Sequence, residues 1–257
     1  MSDISITTSG DAKADAADFL TKQLAIRGKI RIALSICVLF ALPWFILLDF
    51  SANPVPDIQG VVLSQASDIA PFSLQSHENK VFSEVDLIGK WHFIAYGYSQ
   101  CPDICPTTLM SLNALAHAIK ETPSLEEKIK ASQFIFYTVD PTRDTLAVLA
   151  SYIQYFNPDF IALRSHHGDA KQGQGKAIEA LAFEKSVGIK AIVNPANEER
   201  NSYRVSHSVS ILLTNPEGKL QAVFFADKNQ TAPTHFDSEN LYRDFLTVID
   251  YYQTKKP

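Results

Sequence analysis

Two of the three cysteines, Cys101 and Cys105, lie four residues apart in the sequence C-P-D-I-C-P. An apolar run of strand length (91–98) precedes them, and apolar residues at helical spacing follow them. If the helix begins at or near Cys101, this spacing places both sulfurs on one face, where the helix N-terminus lowers the pKa of the thiols. Two neighbouring thiolates are soft ligands that suit Cu(I) and, less selectively, Zn(II). The sequence therefore predicts a soft-metal site at this strand-to-helix turn.

A third ligand is expected because two sulfurs alone leave a metal ion under-coordinated. His207 is the best placed of the seven histidines, since it comes directly before an apolar strand, 209–213. If this strand shares a sheet with the strand that precedes the cysteines, the loop that enters it packs against the turn that carries them. Position alone leaves open whether His207 is a ligand or a structural residue. The other histidines are better explained as loop, helix or core residues: His77, His92, His117, His166, His167 and His235.

The elements that must position these residues follow the order of a thioredoxin-like α/β fold, a central mixed sheet flanked by helices. The runs 91–98 and 133–140 are apolar without alternation, as in strands buried on both faces. A turn signal, Asn-Pro-Glu-Gly, divides 208–225 into an antiparallel hairpin. The remaining predicted elements are a short hairpin (72–74 and 81–82), a short strand (161–163), and helices over 101–120, 144–156, 171–187 and 239–252.

The N-terminal part predicts a membrane anchor, because residues 32–48 carry no charge and follow a basic segment. A cleaved signal peptide is the alternative, but the apolar run begins late in the chain and lacks an A-x-A-like cleavage site. Cys37 is expected to be a small apolar residue of this helix. The predicted division is a cytoplasmic segment (1–31), a transmembrane anchor (32–49), a linker (50–59) and the thioredoxin-like domain (60–257).

The positive-inside rule keeps the N-terminus in the cytoplasm and exports the domain. We therefore expect a single-pass protein of the bacterial inner membrane with its domain in the periplasm. In a eukaryote, the domain would face the mitochondrial intermembrane space. The net charge of −5 gives no reason to expect nucleic acid as a partner.

Three segments resemble signature stretches of the Sco/SenC family and occur in that family's order. They are YSQCPDICPTTL (98–109), VDPTRDT (139–145) and YRVSHSVSILLTNPEGKL (203–220). The resemblance extends over roughly residues 60–252. Members of this family are membrane-anchored copper-binding proteins of thioredoxin-like fold that support the assembly of cytochrome c oxidase. The resemblance implies that Cys101 and Cys105 are the thiolate ligands of a copper ion and that His207 is its histidine ligand.

By the same resemblance, the expected function is that of a copper chaperone, with Cu(I) as the main form of the ion and Cu(II) as a second. The usual recipient in the family is the dinuclear copper centre of cytochrome c oxidase subunit II. The alternative recipient is another copper-accepting protein. An upstream copper donor or a thiol reductant is implied as a further partner, since a disulfide between the two cysteines would block copper binding until it is reduced.

The alternative function is that of a thiol–disulfide oxidoreductase, which would reduce a partner's cysteines before metal insertion. Two features count against it as the main role. The spacing is C-x-x-x-C in place of the C-x-x-C of typical redox motifs. Thioredoxin-like oxidoreductases also carry a proline just before the strand that faces the disulfide, and no proline occurs between Val205 and Thr214. Reductase activity is therefore expected to be secondary at most. A peroxidase of the peroxiredoxin class would not explain two closely spaced cysteines together with His207.

Two further features bear on the site. Ser206 stands where the family often has an acidic residue before its ligand histidine, which predicts a change in copper affinity or in oxidation-state preference.

Asp140, Arg143 and Asp144 follow a predicted strand, where α/β sheets usually build sites. We expect Asp144 to cap the next helix with Arg143 as its ion-pair partner. Partner docking or support of the site is the alternative role for these three residues.

Overall fold

The computed structural model describes residues 21–23, 27–31, 34–39, 54–166, 178–194, 204–207, 209–227 and 235–255. For residues 128, 178, 192–194 and 204–207 it describes the backbone alone. The chain divides into two compact units, Met1–Pro54 and Val55–Pro257.

In the first unit, residues 21–23, 27–31 and 34–39 are helical. Within the described part of the chain, no helix combines the length and the apolar character of a membrane span. Most of the predicted anchor (32–49) lies outside the described residues. The anchor therefore stays a prediction.

The second unit contains strands and helices in alternation, followed by a hairpin and a last helix. The strands are β1 (Gly60–Ser67), β2 (Ser73–Ser76), β3 (Val81–Ser83), β4 (His92–Gly97), β5 (Gln133–Thr138), β6 (Ile161–Ser165), β7 (Ala191–Asn194), β8 (Arg204–His207), β9 (Ser210–Thr214) and β10 (Leu220–Phe225). The helices are α1 (Ile104–Glu121), α2 (Glu127–Lys130), α3 (Leu146–Phe156), α4 (Ile178–Val187) and α5 (Ser238–Lys255), with a 3₁₀ turn at Glu84–Leu87.

Eight of the described strands form one mixed sheet, in the order β1-β10-β9-β4-β5-β6-β2-β3. Strand β4 runs parallel to β5, and β5 parallel to β6, whereas β9 is antiparallel to β4 and β10 antiparallel to β9. This arrangement confirms the predicted thioredoxin-like core. The C-terminal ends of β4 and β5 and the start of β9 consequently share one edge of the sheet. Strands β7 and β8 form a separate antiparallel pair.

The central strand β4 is buried along its whole length, as its unbroken apolar sequence predicts. Phe93 and Ala95 lie in a core cluster with residues of α1, α3 and α5, and Ile94 and Tyr96 lie in a second cluster with residues of α4. The sheet is thus covered on both faces, which holds the end of β4 rigidly in place. The apolar positions predicted for α1 are all buried: Leu109, Leu112, Leu115, Ala116 and Ile119.

The prediction that the first helix begins at or near Cys101 is wrong, since α1 begins at Ile104 after Asp103 as its N-cap. The reason is Pro102, because a proline disfavours helical backbone in the residue before it. Pro106 is tolerated inside the helix, since the first four helical N–H groups have no partner within the helix. Cys101 therefore precedes the helix and Cys105 lies in its first turn, and the argument that both occupy one helix face does not apply.

Candidate functional site

Cys101 and Cys105 come together where β4 ends and α1 begins. The chain turns after β4, with the Cys101 N–H donating to the Tyr98 carbonyl at 3.1 Å. The two cysteines are buried, with 8% and 4% of their surface exposed, and their thiols hydrogen-bond to each other. The structure thus brings the two sulfurs together as the sequence predicts, through a tight turn and not through helical spacing.

The pKa of the Cys105 thiol is raised far above its usual value, in contrast to the lowering that the sequence predicts. The hydrogen bond with Cys101 is the largest cause, followed by burial and by the charge that Cys101 would carry. A hydrogen bond from the Tyr98 backbone amide opposes the rise without offsetting it. A cation that binds both sulfurs must therefore displace a firmly held proton from Cys105.

Gly97, the last residue of β4, makes room for the Cys105 sulfur. A Cβ atom built at Gly97 would overlap that sulfur and would lie 3.5 Å from the ring of Phe136. Glycine is needed here for space, because the backbone of β4 is ordinary extended strand at this point. Any side chain at position 97 would have to push Cys105 away from its place.

A small cavity of about 10 Å³ adjoins Cys105, which is room for about one water-sized particle. It lies between the first turns of α1 and the start of β9, where the Tyr96 hydroxyl and the Ser210 hydroxyl are 2.7 Å apart. The buried sulfur of Cys105 is therefore open to one small guest from the side of β9. The cavity is lined by Ala95, Tyr96, Ile104, Cys105, Thr108, Phe136, Val209 and Ser210.

His207 ends strand β8, where its backbone pairs with Ala191. Its side chain is outside what the structure describes. Val209, two residues further along, lines the cavity beside Cys105. Strand β9, which follows His207 in the sequence, thus begins next to Cys105. Among the described side chains, no group of three or more His, Cys, Asp or Glu residues is close enough to hold a metal ion.

Other histidines have structural roles in the described part of the chain. His77 accepts a hydrogen bond from the Ala162 backbone amide at 3.1 Å through Nδ1. His92 is a core residue, as predicted, with 1% of its surface exposed. His166 lies 3.4 Å from the Ser73 hydroxyl. His167 lies outside the described residues.

Asp144 connects the end of β5 to the turn that carries Cys101. Its carboxylate is fully buried and accepts hydrogen bonds from the Ser99 backbone N–H at 3.0 Å, the Ser99 hydroxyl at 2.5 Å and the Thr138 hydroxyl at 2.5 Å. Such bonds to an ionised acceptor are about twice as strong as neutral ones. Because Ser99 is two residues from Cys101, this carboxylate fixes the cysteine turn against the neighbouring strand.

The predicted cap and ion pair at Asp144 are therefore wrong. Thr145 is the N-cap of α3, since its side chain accepts a hydrogen bond from the Val148 N–H at 3.3 Å. Arg143 forms its ion pair with Asp140 and lies over the ring of Tyr98, 5.4 Å from the ring centroid. The parallel pairing of β4 and β5 explains the difference, because it brings the Ser99 turn within reach of Asp144.

Tyr152, on α3, packs near the cysteine turn and is a residue that the sequence does not single out. Its ring packs against Phe136 with 5.4 Å between centroids. Its hydroxyl is buried and has no hydrogen-bond partner among the described residues. Burial raises the pKa of this phenol well above its usual value, and the charges that Cys105, Cys101 and Asp144 would carry add to the rise. A tyrosine in a predicted helix was the available sequence signal, because a buried tyrosine hydroxyl usually has a hydrogen-bond partner.

Comparison with known proteins decides the family of this chain. The SCO1/SenC family model matches residues 63–236, which include both cysteines, Asp144, Tyr152 and His207. The chain belongs to the SCO1/SenC family.

Individual relatives agree with this assignment. The chain is 31% identical over 160 residues to the mitochondrial SCO2 homolog of Danio rerio, a match that covers 62% of this chain and 52% of the relative. It is 32% identical over 175 residues to a Stutzerimonas stutzeri protein named as a candidate copper-binding protein, covering 68% of this chain and 78% of the relative. The chain spans about half the length of the mitochondrial relatives from Danio rerio and Bos taurus that it matches.

A solved SCO1/SenC structure has the same fold. The crystal structure of Arabidopsis thaliana ScoI with copper bound superimposes with a TM-score of 0.56 at 28% sequence identity. The superposition covers 72% of this chain and 99% of that one.

Proposed function

We propose that this chain is a copper chaperone that holds one copper ion through Cys101, Cys105 and His207 and delivers it to cytochrome c oxidase. The observation that carries the proposal is the pair of buried, mutually hydrogen-bonded thiols beside a cavity that the start of β9 completes. Soft sulfur ligands suit Cu(I). The copper-bound Arabidopsis relative supports copper as the cargo.

Loading would replace two S–H bonds by two S–Cu bonds and release two protons, with the imidazole of His207 as the third ligand. Because the pKa of Cys105 is raised, loading would become more favourable as the pH rises. Three ligands leave a coordination position open, so that an acceptor's sulfur could attach before the chaperone's ligands detach. Copper then stays Cu(I) throughout, and no electrons need to be exchanged.

The recipient, the source of copper or reductant and the membrane anchor are proposed because the three signature segments resemble those of the SCO1/SenC family. The recipient would be the dinuclear copper centre of subunit II, and the ion or the reducing equivalents would come from an upstream copper donor or thiol reductant. Residues 1–31 would be cytoplasmic, 32–49 would anchor the chain in the bacterial or mitochondrial inner membrane, and 50–59 would link the anchor to the domain that faces the recipient. Ser206 would lower the negative charge near His207 compared with relatives that have an acidic residue there.

A second function, thiol–disulfide exchange, is favoured by one observation, the contact between the two thiols. In that reaction the two thiols of this chain would form a disulfide, while a partner disulfide would gain two electrons and two protons to become two thiols. The raised pKa of Cys105 disfavours this thiol as the attacking group, because the thiolate is the attacking species, and the C-x-x-x-C spacing counts against exchange as the main activity.

A Cu(I) titration against a chromogenic chelator separates the two functions. The purified, reduced full chain is expected to bind one Cu(I), and Cys101→Ser or Cys105→Ser to weaken binding by more than the roughly 10- to 100-fold that loss of an outer-shell partner causes. His207→Ala should weaken it as well. Cys37→Ser, which removes the cysteine outside the site, is the matched control and should leave the affinity unchanged.

The contrary outcomes are distinct. Undiminished binding by the His207→Ala variant would remove His207 from the ligand set. Stoichiometric reduction of a disulfide partner by the copper-free chain, without measurable Cu(I) binding, would establish the oxidoreductase in place of the chaperone.

A further inference from the structure

Arg164, on β6, is a charged side chain in the interior of the fold, with 4% of its surface exposed. It follows Leu163, which pairs with Tyr137 near the end of β5. Its Nη2 donates to the Pro141 carbonyl at 2.7 Å, and its Nε donates to the Ser165 carbonyl at 3.3 Å. These two hydrogen bonds fix the plane of the guanidinium against the turn that follows β5.

The burial of this guanidinium is costly. A charged group loses its hydration when it leaves water, and burial accordingly lowers the pKa of Arg164. The negative charge of Asp144 opposes this lowering. Apolar side chains of similar volume often replace buried charges without loss of stability, so general stability alone does not explain the arginine.

Pro141 belongs to the same turn as Asp144. The Asp144 N–H closes this turn by donating to the Asp140 carbonyl at 3.0 Å, so that Pro141 lies inside one loop of backbone. A hydrogen bond to the Pro141 carbonyl therefore restricts the directions in which the Asp144 side chain can point. That side chain in turn accepts a hydrogen bond from the Ser99 N–H at 3.0 Å, in the turn that carries Cys101.

The same β5–α3 turn also contacts the two neighbours of Ser99. Arg143 lies over the ring of Tyr98, 5.4 Å from the ring centroid, and its Nη1 is 3.4 Å from the Gln100 Oε1. The turn thus contacts each of the three residues that lead into the cysteine pair. Any shift of the turn would be transmitted to the cysteines through these contacts.

We propose that Arg164 is a positioning residue of the cysteine site. By holding the Pro141 carbonyl from the neighbouring strand, it fixes the turn that keeps residues 98–100 in place before Cys101. The effect on copper binding rests on the proposed function. The effect on residues 98–100 does not, because it is a property of the copper-free chain.

Arg164→Met tests the inference, because methionine fills much of the same space and removes both donors. Gln221→Met is the matched control. Gln221, on β10, is also buried, and its side chain donates to the Leu63 carbonyl on β1 at 3.0 Å. Both variants therefore remove a buried hydrogen bond to a backbone carbonyl, and they differ in its place in the sheet.

Amide hydrogen exchange of the purified, reduced, copper-free full chain, read by mass spectrometry, gives the first measurement. The Ser99 N–H donates to Asp144 and the Cys101 N–H to the Tyr98 carbonyl. In Arg164→Met, both amides should exchange about tenfold faster, the factor that one hydrogen bond is typically worth. This rise should be clearly larger than the rise in β1 and β10. Gln221→Met should show the reverse pattern.

Cu(I) affinity gives the second measurement. Arg164→Met should bind Cu(I) about tenfold more weakly, the lower end of the effect typical of residues that orient metal ligands. Gln221→Met should match the wild type. If the wild type binds no Cu(I), the chaperone proposal fails and amide exchange alone decides the role of Arg164.

Three results would overturn the inference. The first is exchange at Ser99 and Cys101 within twofold of the wild type. The second is an equal rise in β1 and β10, since Arg164 would then support the fold as a whole. The third is faster local exchange with undiminished Cu(I) affinity in a chain that binds Cu(I). If Arg164→Met does not fold, the same limits apply to Arg164→Lys, because a single ammonium cannot replace both Nε and Nη2.

Discussion

At the scale of single residues, the candidate site is shaped by what surrounds its two sulfurs. Cys105 is buried beside Cys101, its proton is held firmly, and the strand that precedes it ends in a residue without a side chain. These features make Cys105 a poor free nucleophile, and they suit a soft cation that can displace its proton. The chemistry therefore depends on small positional details.

Gly97→Ala is expected to impair copper binding because the new Cβ overlaps the Cys105 sulfur. Overpacking of this kind typically costs about 1–3 kcal/mol of stability. A Cu(I) titration together with denaturant unfolding measures both effects. Gly89→Ala is the matched control, since its Cβ meets no atom but its φ of +88° strains the backbone. It should lose stability and keep the wild-type copper affinity, and equal affinity in the two variants would contradict this account of Gly97.

Residue types and spacing were enough to predict the cysteine pair, since two thiols at a strand-to-helix turn have few other uses. They did not predict the direction of the Cys105 pKa shift, because the sequence shows the nearby helix N-terminus but not the hydrogen bond with Cys101 and the burial, which together outweigh it. The sequence does not single out Tyr152, and only the fold shows that its hydroxyl is buried without a hydrogen-bond partner among the described residues. Such roles depend on which distant residues meet.

At the scale of elements, the site depends on the connection between two strand-to-helix turns. The β5–α3 turn carries Asp144, whose carboxylate binds Ser99 in the β4–α1 turn. The parallel strands β4 and β5 thus hold the cysteine turn in place. No contact between Asp144 and the sulfurs is needed for this. The third strand at this edge, β9, brings Val209 and Ser210 to the same cavity.

Asp144→Asn should loosen the cysteine turn, because an amide cannot accept all three hydrogen bonds as a carboxylate does. Replacing charge-assisted bonds in a buried position should cost about 1.5–3 kcal/mol in the free energy of unfolding. Copper affinity should fall with it. Thr145→Ala is the control, since loss of a cap costs about 1 kcal/mol and leaves the Ser99 contacts in place. Wild-type copper affinity in Asp144→Asn would show that the connection is not needed.

The predicted elements that proved correct are those with strong patterns. Strands β4 and β5 have continuous apolar sequences, and the hairpin of β9 and β10 has a clear turn. Strand β1 was missed because most of its residues are partly or fully exposed, so it lacks a pattern of burial. Strands β7 and β8 were also missed, because no short polar turn joins them as one joins the equally short strands β2 and β3. Helix α4 begins at Ile178, and the first part of the predicted helix, 171–177, lies outside the described residues.

At the scale of the molecule, the two ends of β4 have different tasks. The C-terminal end leads into the cysteine turn, whereas the N-terminal end begins at His92 in the core. His92 faces Thr214 on β9, and neither the His92 Nδ1 nor the Thr214 hydroxyl has a hydrogen-bond partner among the described residues. This end of the sheet thus contains a buried imidazole whose protonation would destabilise the core.

Acid should destabilise the fold through His92, because burial lowers its pKa from 6.5 to about 4. The unfolded chain therefore binds the proton more readily than the folded chain does. Above pH 6.5 the imidazole is neutral in both states and costs no stability, and the folded state loses stability as the pH falls from 6.5 towards 4. The loss should reach about 3 kcal/mol. Denaturant unfolding at several pH values measures it. His92→Gln should flatten this dependence, and His117→Gln, at an exposed position of α1, should not.

X-ray absorption at the copper edge of the Cu(I)-loaded full chain is the sharpest check of the proposed copper ligands, because it reports the type of atom bound to the metal. We expect two sulfur ligands and one nitrogen ligand in the wild type. In His207→Ala, the nitrogen should disappear while both sulfurs remain, and His235→Ala should match the wild type. A wild-type spectrum with a single sulfur, or a nitrogen ligand that persists in His207→Ala, would contradict the assignment of Cys101, Cys105 and His207 as the copper ligands.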